Sequence, residues 1–249
     1  MFLTLEAIAT PISSVRVPAL PERGRLTQAE RRARSRSALL ESAARGLSRY
    51  GYSNLLLEDV AREAGYTRGA LYHQFKDKET LALAVIEWVN ENWMREVGEP
   101  AARQPDPVAE LLALARGHAV FCRRDVARVV MALRLEFAGR DHAVGRATER
   151  IWETGVKRCI KLINTARKAG SIPSGPPARA VALALLGALE GTVIALSGHA
   201  LYDELLAARA VAGALGIDSH QVESVLRPPP RDAEVDDGGA AVACGARNG

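Results

Sequence analysis

The chain has 249 residues, of which 48% are hydrophobic and 5% aromatic, and its formal net charge is +4. Ala and the straight-chain residues lose little freedom in a helix, and no strand-like alternation of Val, Thr and Tyr is sustained, so the composition favours an all-α fold over β or α/β folds. The first 50 residues hold nine Arg against four Glu, which favours a polyanionic partner, nucleic acid first and an anionic membrane surface second.

Cysteine content and hydropathy argue against disulfide-bonded, secreted and membrane-spanning proteins. Cys122, Cys159 and Cys244 are an odd, sparse set, typical of a reducing cytosol and not of a disulfide framework. No basic region precedes the first apolar residues, so no secretion signal is predicted. The longest apolar run, 181–197, contains Glu190 and two glycines and falls short of a membrane span. We therefore expect a cytoplasmic protein without a membrane partner.

The N-terminal part contains a proline-rich arm and one long helix. Residues 1–25 show no amphipathic period and are predicted to be a flexible arm. Thr27 and Glu30 have the spacing of a capping box. Apolar residues at helical spacing then predict a helix over 27–50 that Gly51 ends. An arginine cluster near its start is either a solvated face or in part a phosphate contact: Arg31, Arg32, Arg34 and Arg36.

Three further helices follow. A short second helix is predicted over 57–63, and a third begins after Thr67 and reaches about residue 75. Asp77 is expected to cap a long fourth helix. Gly98 and the prolines after it mark the predicted boundary to a second domain.

The C-terminal half is predicted to hold five helices, at 107–123, 125–138, 142–169, 177–197 and 201–215. Three prolines, an acidic patch and Gly/Ala residues then indicate a disordered tail. The predicted organisation is an arm (1–25), a helix-turn-helix DNA-binding domain (26–75), a connecting helix (76–98), a helical ligand-binding and dimerisation domain (99–227) and the tail (228–249).

The stretch 57–75 has the pattern of a helix-turn-helix motif. Gly65 supplies the positive φ with which the chain leaves the first helix. Ala61, Ala64 and Leu71 are small enough for two helices that cross closely. The N-terminus of the second helix carries free N–H groups and a positive dipole suited to a phosphate. The second helix of such a motif can lie in the major groove.

The same stretch resembles the TetR family of transcriptional regulators. The resemblance is strong over 27–97 and only architectural beyond. It rests on Val60, Ala61, Ala64, Gly65, Thr67, Gly69, Leu71, Tyr72, Phe75, Lys78, Glu79 and Leu81.

The resemblance implies a role for each residue of the candidate interface. Phosphate contacts are implied for Thr67, Tyr72, His73 and Lys78. Arg68 and Ala70 would face base edges, with Arg68 bonding a guanine through its planar fork, and Gly69 would let the backbone come close. Leu71 and Phe75 would belong to the core.

Two positions depart from the family pattern. Leu55 and Leu56 stand where relatives place a Thr or Ser that caps the second helix and contacts a phosphate, so this contact is in doubt. Ser53 or Asn54 are alternative caps, and Glu58 offers partial compensation through the helix dipole. Tyr66 replaces a small aliphatic residue, and its ring is expected to pack or to reach the backbone.

The C-terminal candidates are less specific. His118 and Cys122 lie four residues apart on one predicted helix, but a metal site needs further ligands, so core packing is favoured and no metal is predicted. Together with these two, four residues are candidates to line a ligand cavity or to fill the core: Met131, Phe137, Trp152 and Cys159.

The helix predicted over 177–197 carries one apolar side and two glycines, Gly187 and Gly191, four residues apart. By resemblance this helix and the next form a four-helix bundle with their copies in a second subunit, which is favoured because two recognition helices bind a palindrome.

The pattern as a whole predicts a homodimeric, ligand-responsive regulator, expected to be a repressor that a small-molecule ligand releases from double-stranded operator DNA. No phosphate loop, dinucleotide fingerprint, nucleophile elbow or zinc-protease motif is present, so neither enzymatic activity nor a cofactor is expected. The alternative is a helical interaction or small-molecule-binding protein without sequence-specific DNA binding.

Overall fold

The computed structural model describes residues 27–195 and 203–217, and every secondary-structure element in these ranges is helical. The all-α prediction is confirmed. The predicted arm 1–25 and tail 228–249 lie outside the described residues.

Four helices form the N-terminal part: α1 (Gln28–Asn54), α2 (Leu57–Glu63), α3 (Arg68–Gln74) and α4 (Lys78–Trp93). The predicted starts are confirmed by their caps. Thr27 and Glu30 form the capping box, and the Asp77 carboxylate accepts the Thr80 N–H at 2.7 Å. One side chain from each of three helices is fully buried in the shared core: Leu47, Leu71 and Leu81.

Helix α1 bends at Gly51, the residue predicted to end it. Gly51 has φ 73°, a conformation that side chains with a Cβ rarely adopt, and one more helical turn follows as far as Asn54. The bend redirects the end of α1 toward later parts of the chain.

The helical run that begins with α4 continues past Gly98, the first of the residues that mark the predicted boundary. The chain continues from α4 through a π-helical turn (Met94–Gly98) into the short helix α5 (Glu99–Ala102). Pro100 lies in the first turn of α5, where a proline needs no amide donor. The non-helical residues 103–106 follow, within the stretch from Gly98 to Pro107 that the sequence marks as a boundary.

The C-terminal helices are α6 (Pro107–Phe121), α7 (Val129–Glu136), α8 (Ala143–Lys168), α9 (Ala178–Ala195) and α10 (Asp203–Leu215). The helix predicted from residue 125 starts as a separate 3-10 turn, Asp125–Arg128, before α7. Helix α10 packs on α6 and α9, and α8 packs on α9. Helix α1 contacts both α7 and the 3-10 turn, which joins the N-terminal helices to the C-terminal ones.

Candidate nucleic-acid interface

Helices α2 and α3 are joined by a tight turn. Gly65 has φ 77°, its N–H donates to the Arg62 carbonyl at 3.0 Å, and the Tyr66 N–H donates to the Ala61 carbonyl at 2.8 Å. These bonds satisfy the last carbonyls of α2. The Tyr66 ring packs partly buried against the core, as expected.

Helix α3 is fixed from its inner side by α1. Leu71 is fully buried, and Phe75, just after the helix, is 1% exposed. The Gln74 side-chain amide donates to the Ser35 hydroxyl at 2.8 Å. The Arg36 guanidinium lies 4.7 Å from the centre of the Phe75 ring. The outer side of α3 is therefore presented on a short but anchored helix.

The outer side carries most of the expected DNA contacts. Ala70 is half-buried, and the other members at the start and outer side of the helix are exposed: Thr67, Arg68, Gly69, Tyr72 and His73. The Thr67 hydroxyl accepts the Ala70 N–H at 3.2 Å, which leaves the hydroxyl proton available to a second acceptor.

Gly69 is not required by the fold. A Cβ placed there would meet only the Thr67 hydroxyl oxygen, at 3.9 Å, which is ordinary van der Waals contact. Glycine costs about 0.5–1 kcal/mol relative to alanine within a helix. Its presence on the outer side is therefore consistent with close approach of another molecule to the backbone.

Arg68 is held by two neighbours. Its Nη1 donates to the Glu58 carboxylate at 2.5 Å, and its guanidinium lies 5.4 Å from the centre of the Tyr72 ring. The Tyr72 hydroxyl and the Glu58 carboxylate raise the pKa of Arg68 above its ordinary value. The side chain remains 62% exposed, so its fork is oriented and still accessible.

Lys78 differs from the other candidates because it is half-buried. Its Nζ donates to the Ser53 carbonyl at 3.1 Å and lies 4.9 Å from the centre of the Tyr52 ring. Removal from water lowers the pKa of this amine. Lys78 thus joins the start of α4 to the end of α1.

The leucines at positions 55 and 56 have different environments. Leu55 is buried and packs against Gly46, where an added Cβ would lie 2.5 Å from a Leu55 methyl group. Leu56 is the N-cap of α2, 62% exposed, and makes no side-chain capping bond. The alternative caps for α2, Ser53 and Asn54, lie within the last turn of α1 and do not cap α2.

Ser53 instead belongs to a set of contacts that sequence reasoning missed, here named the Glu136 cluster: Tyr52, Ser53, Lys78 and Glu136. The Glu136 carboxylate accepts the Tyr52 N–H at 2.6 Å, the Ser53 N–H at 2.9 Å and the Ser53 hydroxyl at 2.8 Å. Partial burial opposes the charge, but these three bonds lower the pKa of Glu136. No local pattern could reveal this cluster, because Glu136 lies more than 80 residues beyond Tyr52 and Ser53 in the sequence.

Ring contacts and ion pairs extend this connection. The Tyr52 ring lies 5.2 Å from the Phe137 ring, which stacks on His142 at 4.4 Å. His142 Nε2 is 3.4 Å from the Glu79 carboxylate in α4. The segment 125–142 is therefore attached both to the end of α1 and to the start of α4.

The six candidate ligand residues do not line one common cavity, although two of them are in contact. Phe137 belongs to the contacts just described, and Trp152 lies under the Arg134 guanidinium at 4.0 Å. His118 and Cys122 contact each other. Met131 is half-buried. Cys159 is 4% exposed, and burial raises the pKa of its thiol to about 11.

A shallow cavity of about 350 Å³ lies beside the π-helical turn. Arg158, at the edge of the cavity, donates to Glu110 at 2.7 Å and to the Gly98 carbonyl at 2.8 Å. The cavity is lined by Met94, Gly98, Glu99, Ala102, Glu110, Arg158, Lys161 and Leu162. None of the six candidates lines it. Over the described ranges no group of three or more His, Cys, Asp or Glu could hold a metal ion.

A chain of helices that presents a short, anchored helix after a tight glycine turn has the architecture of a helix-turn-helix DNA-binding protein. Residues 39–85 match the model of the family described as bacterial regulatory proteins, tetR family. The match spans α2 and α3 with the adjoining parts of α1 and α4, and over these residues the chain resembles this family of regulators.

Curated relatives support the same assignment. The transcriptional regulator CymR of Pseudomonas putida is 40% identical over 67 residues, which are 27% of this chain and 33% of that protein. The regulator AcrR of Shigella flexneri is 27% identical over 162 residues, 63% of this chain and 75% of that protein. The match to CymR thus spans about a third of that relative's length.

Solved structures share the fold beyond the motif. AibR in complex with isovaleryl coenzyme A and operator DNA aligns with a TM-score of 0.61 at 20% identity, covering 74% of this chain and 100% of that chain. SCO4454, a TetR-family regulator from Streptomyces coelicolor, aligns with a TM-score of 0.63 at 20% identity, covering 74% and 95%. At this identity the likeness establishes the fold alone.

Proposed function

We propose that the protein is a homodimeric transcription regulator of the cytoplasm, not an enzyme, that binds operator DNA and is released by a small-molecule ligand. The observation that carries this proposal is the exposed outer side of α3, within the stretch that matches the family. AibR, which shares the fold, forms a complex with isovaleryl coenzyme A and operator DNA. By analogy, residues 26–75 bind DNA, 76–98 connect, and 99–227 bind ligand and dimerise.

On DNA, the contacts divide by chemistry. Thr67, Tyr72 and His73 are exposed donors suited to phosphate oxygens. Arg68 would exchange the Glu58 carboxylate for the O6 and N7 acceptors of a guanine, a pair worth about 1–3 kcal/mol of discrimination. Ala70 would contact a base edge, and the backbone at Gly69 would approach the DNA closely. Lys78 would have to break its hydrogen bond to the Ser53 carbonyl before it could contact a phosphate.

Dimerisation is proposed for the outer side of α9. Its inner side is buried in the same chain through Val181, Ala182, Leu185 and Leu189. Its outer side combines exposed apolar side chains with glycines. Leu183 is 40% and Ile194 59% exposed, and a Cβ at Gly187 or Gly191 would meet nothing within 4 Å. By length and composition alone, α9 could also cross a membrane, and 28% of the helix is buried within the described part of the chain. Open small residues at helical spacing favour close packing against a second helix.

Gly187→Glu tests this interface, because a carboxylate would be buried without a partner in the apolar face. We expect the variant to sediment as a monomer where the native protein sediments as a dimer. The matched control is Gly155→Glu on α8, also a helical glycine with open space around its Cβ. A monomeric native protein, or a dimeric Gly187→Glu variant, would contradict the proposed face.

Ligand release is proposed to act through the Glu136 cluster. The cluster joins the C-terminal helices to the end of α1 and to the start of α4. These two points lie on either side of the helix-turn-helix in the sequence. The cavity beside the π-helical turn is one candidate ligand site, since π-helical turns are frequent at functional sites. Typical allosteric couplings of about 1–3 kcal/mol would suffice to change operator occupancy many-fold.

The test of the proposed function is fluorescence anisotropy of the full chain with DNA from its own upstream intergenic region. We expect tight binding that survives unrelated competitor DNA and weakens steeply with salt. The proposal fails if neither this DNA nor a randomised library enriched on the protein binds more tightly than unrelated sequence.

A further inference from the structure

A thiol and an imidazole meet at the end of α6. Cys122 is the C-cap of α6, and its sulfur lies 3.5 Å from His118 Nε2 and 4.0 Å from His118 Nδ1, one turn earlier. The Glu190 carboxylate of α9 lies 3.7 Å from the same Nε2. The proposed DNA and dimer contacts use neither residue of the pair.

Trp93 of α4 orients the imidazole. Its indole N–H, which can only donate, lies 3.2 Å from His118 Nδ1. Nδ1 therefore keeps its lone pair, and the proton of the neutral ring is on Nε2, the nitrogen that faces the Cys122 sulfur and Glu190. Three helices thus fix an N–H donor beside the thiol.

We propose that Cys122 is a covalent modification site for small uncharged α,β-unsaturated carbonyl compounds. A thiolate is the reactive form of cysteine, and a positioned N–H donor stabilises its charge. Cys122 is half-buried and therefore keeps some access for a small reagent, whereas Cys159 is buried. The Glu190 carboxylate disfavours anionic reagents, which selects neutral ones.

The addition requires no oxidant. The thiol proton leaves to water, the sulfur forms a bond to the β-carbon, and the π bond of the alkene breaks. The α-carbon then takes a proton from water, so the net change is addition of S–H across the double bond. His118 donates a hydrogen bond from Nε2–H to the sulfur while the sulfur carries negative charge. The imidazole itself neither gains nor loses a proton.

Cys159 provides an internal reference. It is 4% exposed, and burial raises the pKa of its thiol to about 11, so its thiolate is scarce at neutral pH. Two cysteines in one chain thus differ in the features that control reactivity, namely access and a neighbouring donor.

The experiment uses the full chain and N-ethylmaleimide as the neutral probe, with labelling of each cysteine followed by peptide mass spectrometry. We expect native Cys122 to react about tenfold faster than Cys122 in the urea-unfolded chain, since folding supplies the donor. Cys159 is expected to react more slowly when native than when unfolded. A native Cys122 that reacts at or below its unfolded rate overturns the proposal.

Two variants separate activation from simple exposure. His118→Gln should slow labelling of Cys122 about tenfold, while Cys159 reports any unfolding by its own acceleration. Glu190→Gln should keep the reaction with neutral iodoacetamide and speed that with anionic iodoacetate. Unchanged ratios of the two reagents in Glu190→Gln, or unchanged Cys122 labelling in a folded His118→Gln variant, would refute the assigned environment. None of these measurements involves DNA.

Discussion

Helices α3 and α9 both expose one side, but they differ in length, in the number of side chains that they bury and in the chemistry of the exposed side. Helix α3 has seven residues and buries one side chain, Leu71, while its outer side carries hydroxyl, guanidinium and imidazole groups. Helix α9 has 18 residues, buries four apolar side chains and exposes apolar and glycine positions. The chemistry of the exposed side therefore indicates the kind of partner: hydrogen-bond donors suit a polyanion, and small apolar residues suit another helix.

The anchoring of α3 gives the largest expected effect. Leu71→Ala removes the one side chain that α3 buries completely, and we expect the free energy of unfolding to fall by about 2–5 kcal/mol. The adjacent Tyr72→Ala, on the outer side, should change it by less than about 0.5 kcal/mol. Urea unfolding measures both. Similar losses from the two variants would show that α3 has no distinct inner and outer sides.

The second prediction concerns Glu136, which connects the C-terminal helices to the end of α1. Glu136→Gln replaces a carboxylate that accepts three hydrogen bonds, and we expect a loss of about 1–3 kcal/mol in the free energy of unfolding. Urea unfolding again provides the measurement. The control is Glu149→Gln, whose exposed carboxylate pairs with Arg134 on the surface and should matter little. Equal losses from the two variants would make Glu136 an ordinary surface charge.

The same carboxylate gives a pH signature. Its pKa in the folded protein lies below the ordinary value of 4.5, so its stabilisation is complete above that value and is lost as the pH falls through the folded pKa. The stability difference between the native protein and Glu136→Gln should therefore shrink on acidification below about pH 4.5. A difference that grows on acidification would mean that the charge on Glu136 does not stabilise its contacts with Tyr52 and Ser53.

Arg68→Ala is expected to act on DNA binding and not on folding. Loss of a bidentate base contact should weaken operator binding about 10- to 100-fold and relax preference at one base pair. Arg62→Ala is the matched control, an exposed arginine on α2 that is paired with Asp59. Anisotropy against an operator and its single-base variants measures both. Equal losses for the two variants on every sequence would reduce Arg68 to a general positive charge.

Gly69→Ala should change stability and DNA binding in opposite directions, which separates the fold from the interface. The structure has room for the methyl group, so the helix should gain up to about 0.5–1 kcal/mol in urea unfolding. Operator affinity, measured by anisotropy, should fall, because the methyl group would occupy the space of the close approach. Retained affinity in the stabilised variant would remove Gly69 from the interface.

Elements that depend on signals between neighbouring residues could be predicted from the amino-acid sequence. The capping box at Thr27, the Asp77 cap and the turn at Gly65 agree with the prediction, because each involves hydrogen bonds or φ values within four residues. The helical class and the family resemblance likewise depend on local pattern, and both are confirmed.

Contacts between residues that are far apart in the sequence became visible only in the folded chain. The local pattern offers Ser53 as a cap for α2, but Ser53 donates to Glu136, 83 residues later. Gly98 likewise offers no local sign that it lies within a π-helical turn, against the Arg158 guanidinium. The physical reason is the same in both cases: a side chain fixes local backbone through its neighbours in sequence, whereas its long-range partner is selected by packing of the whole chain.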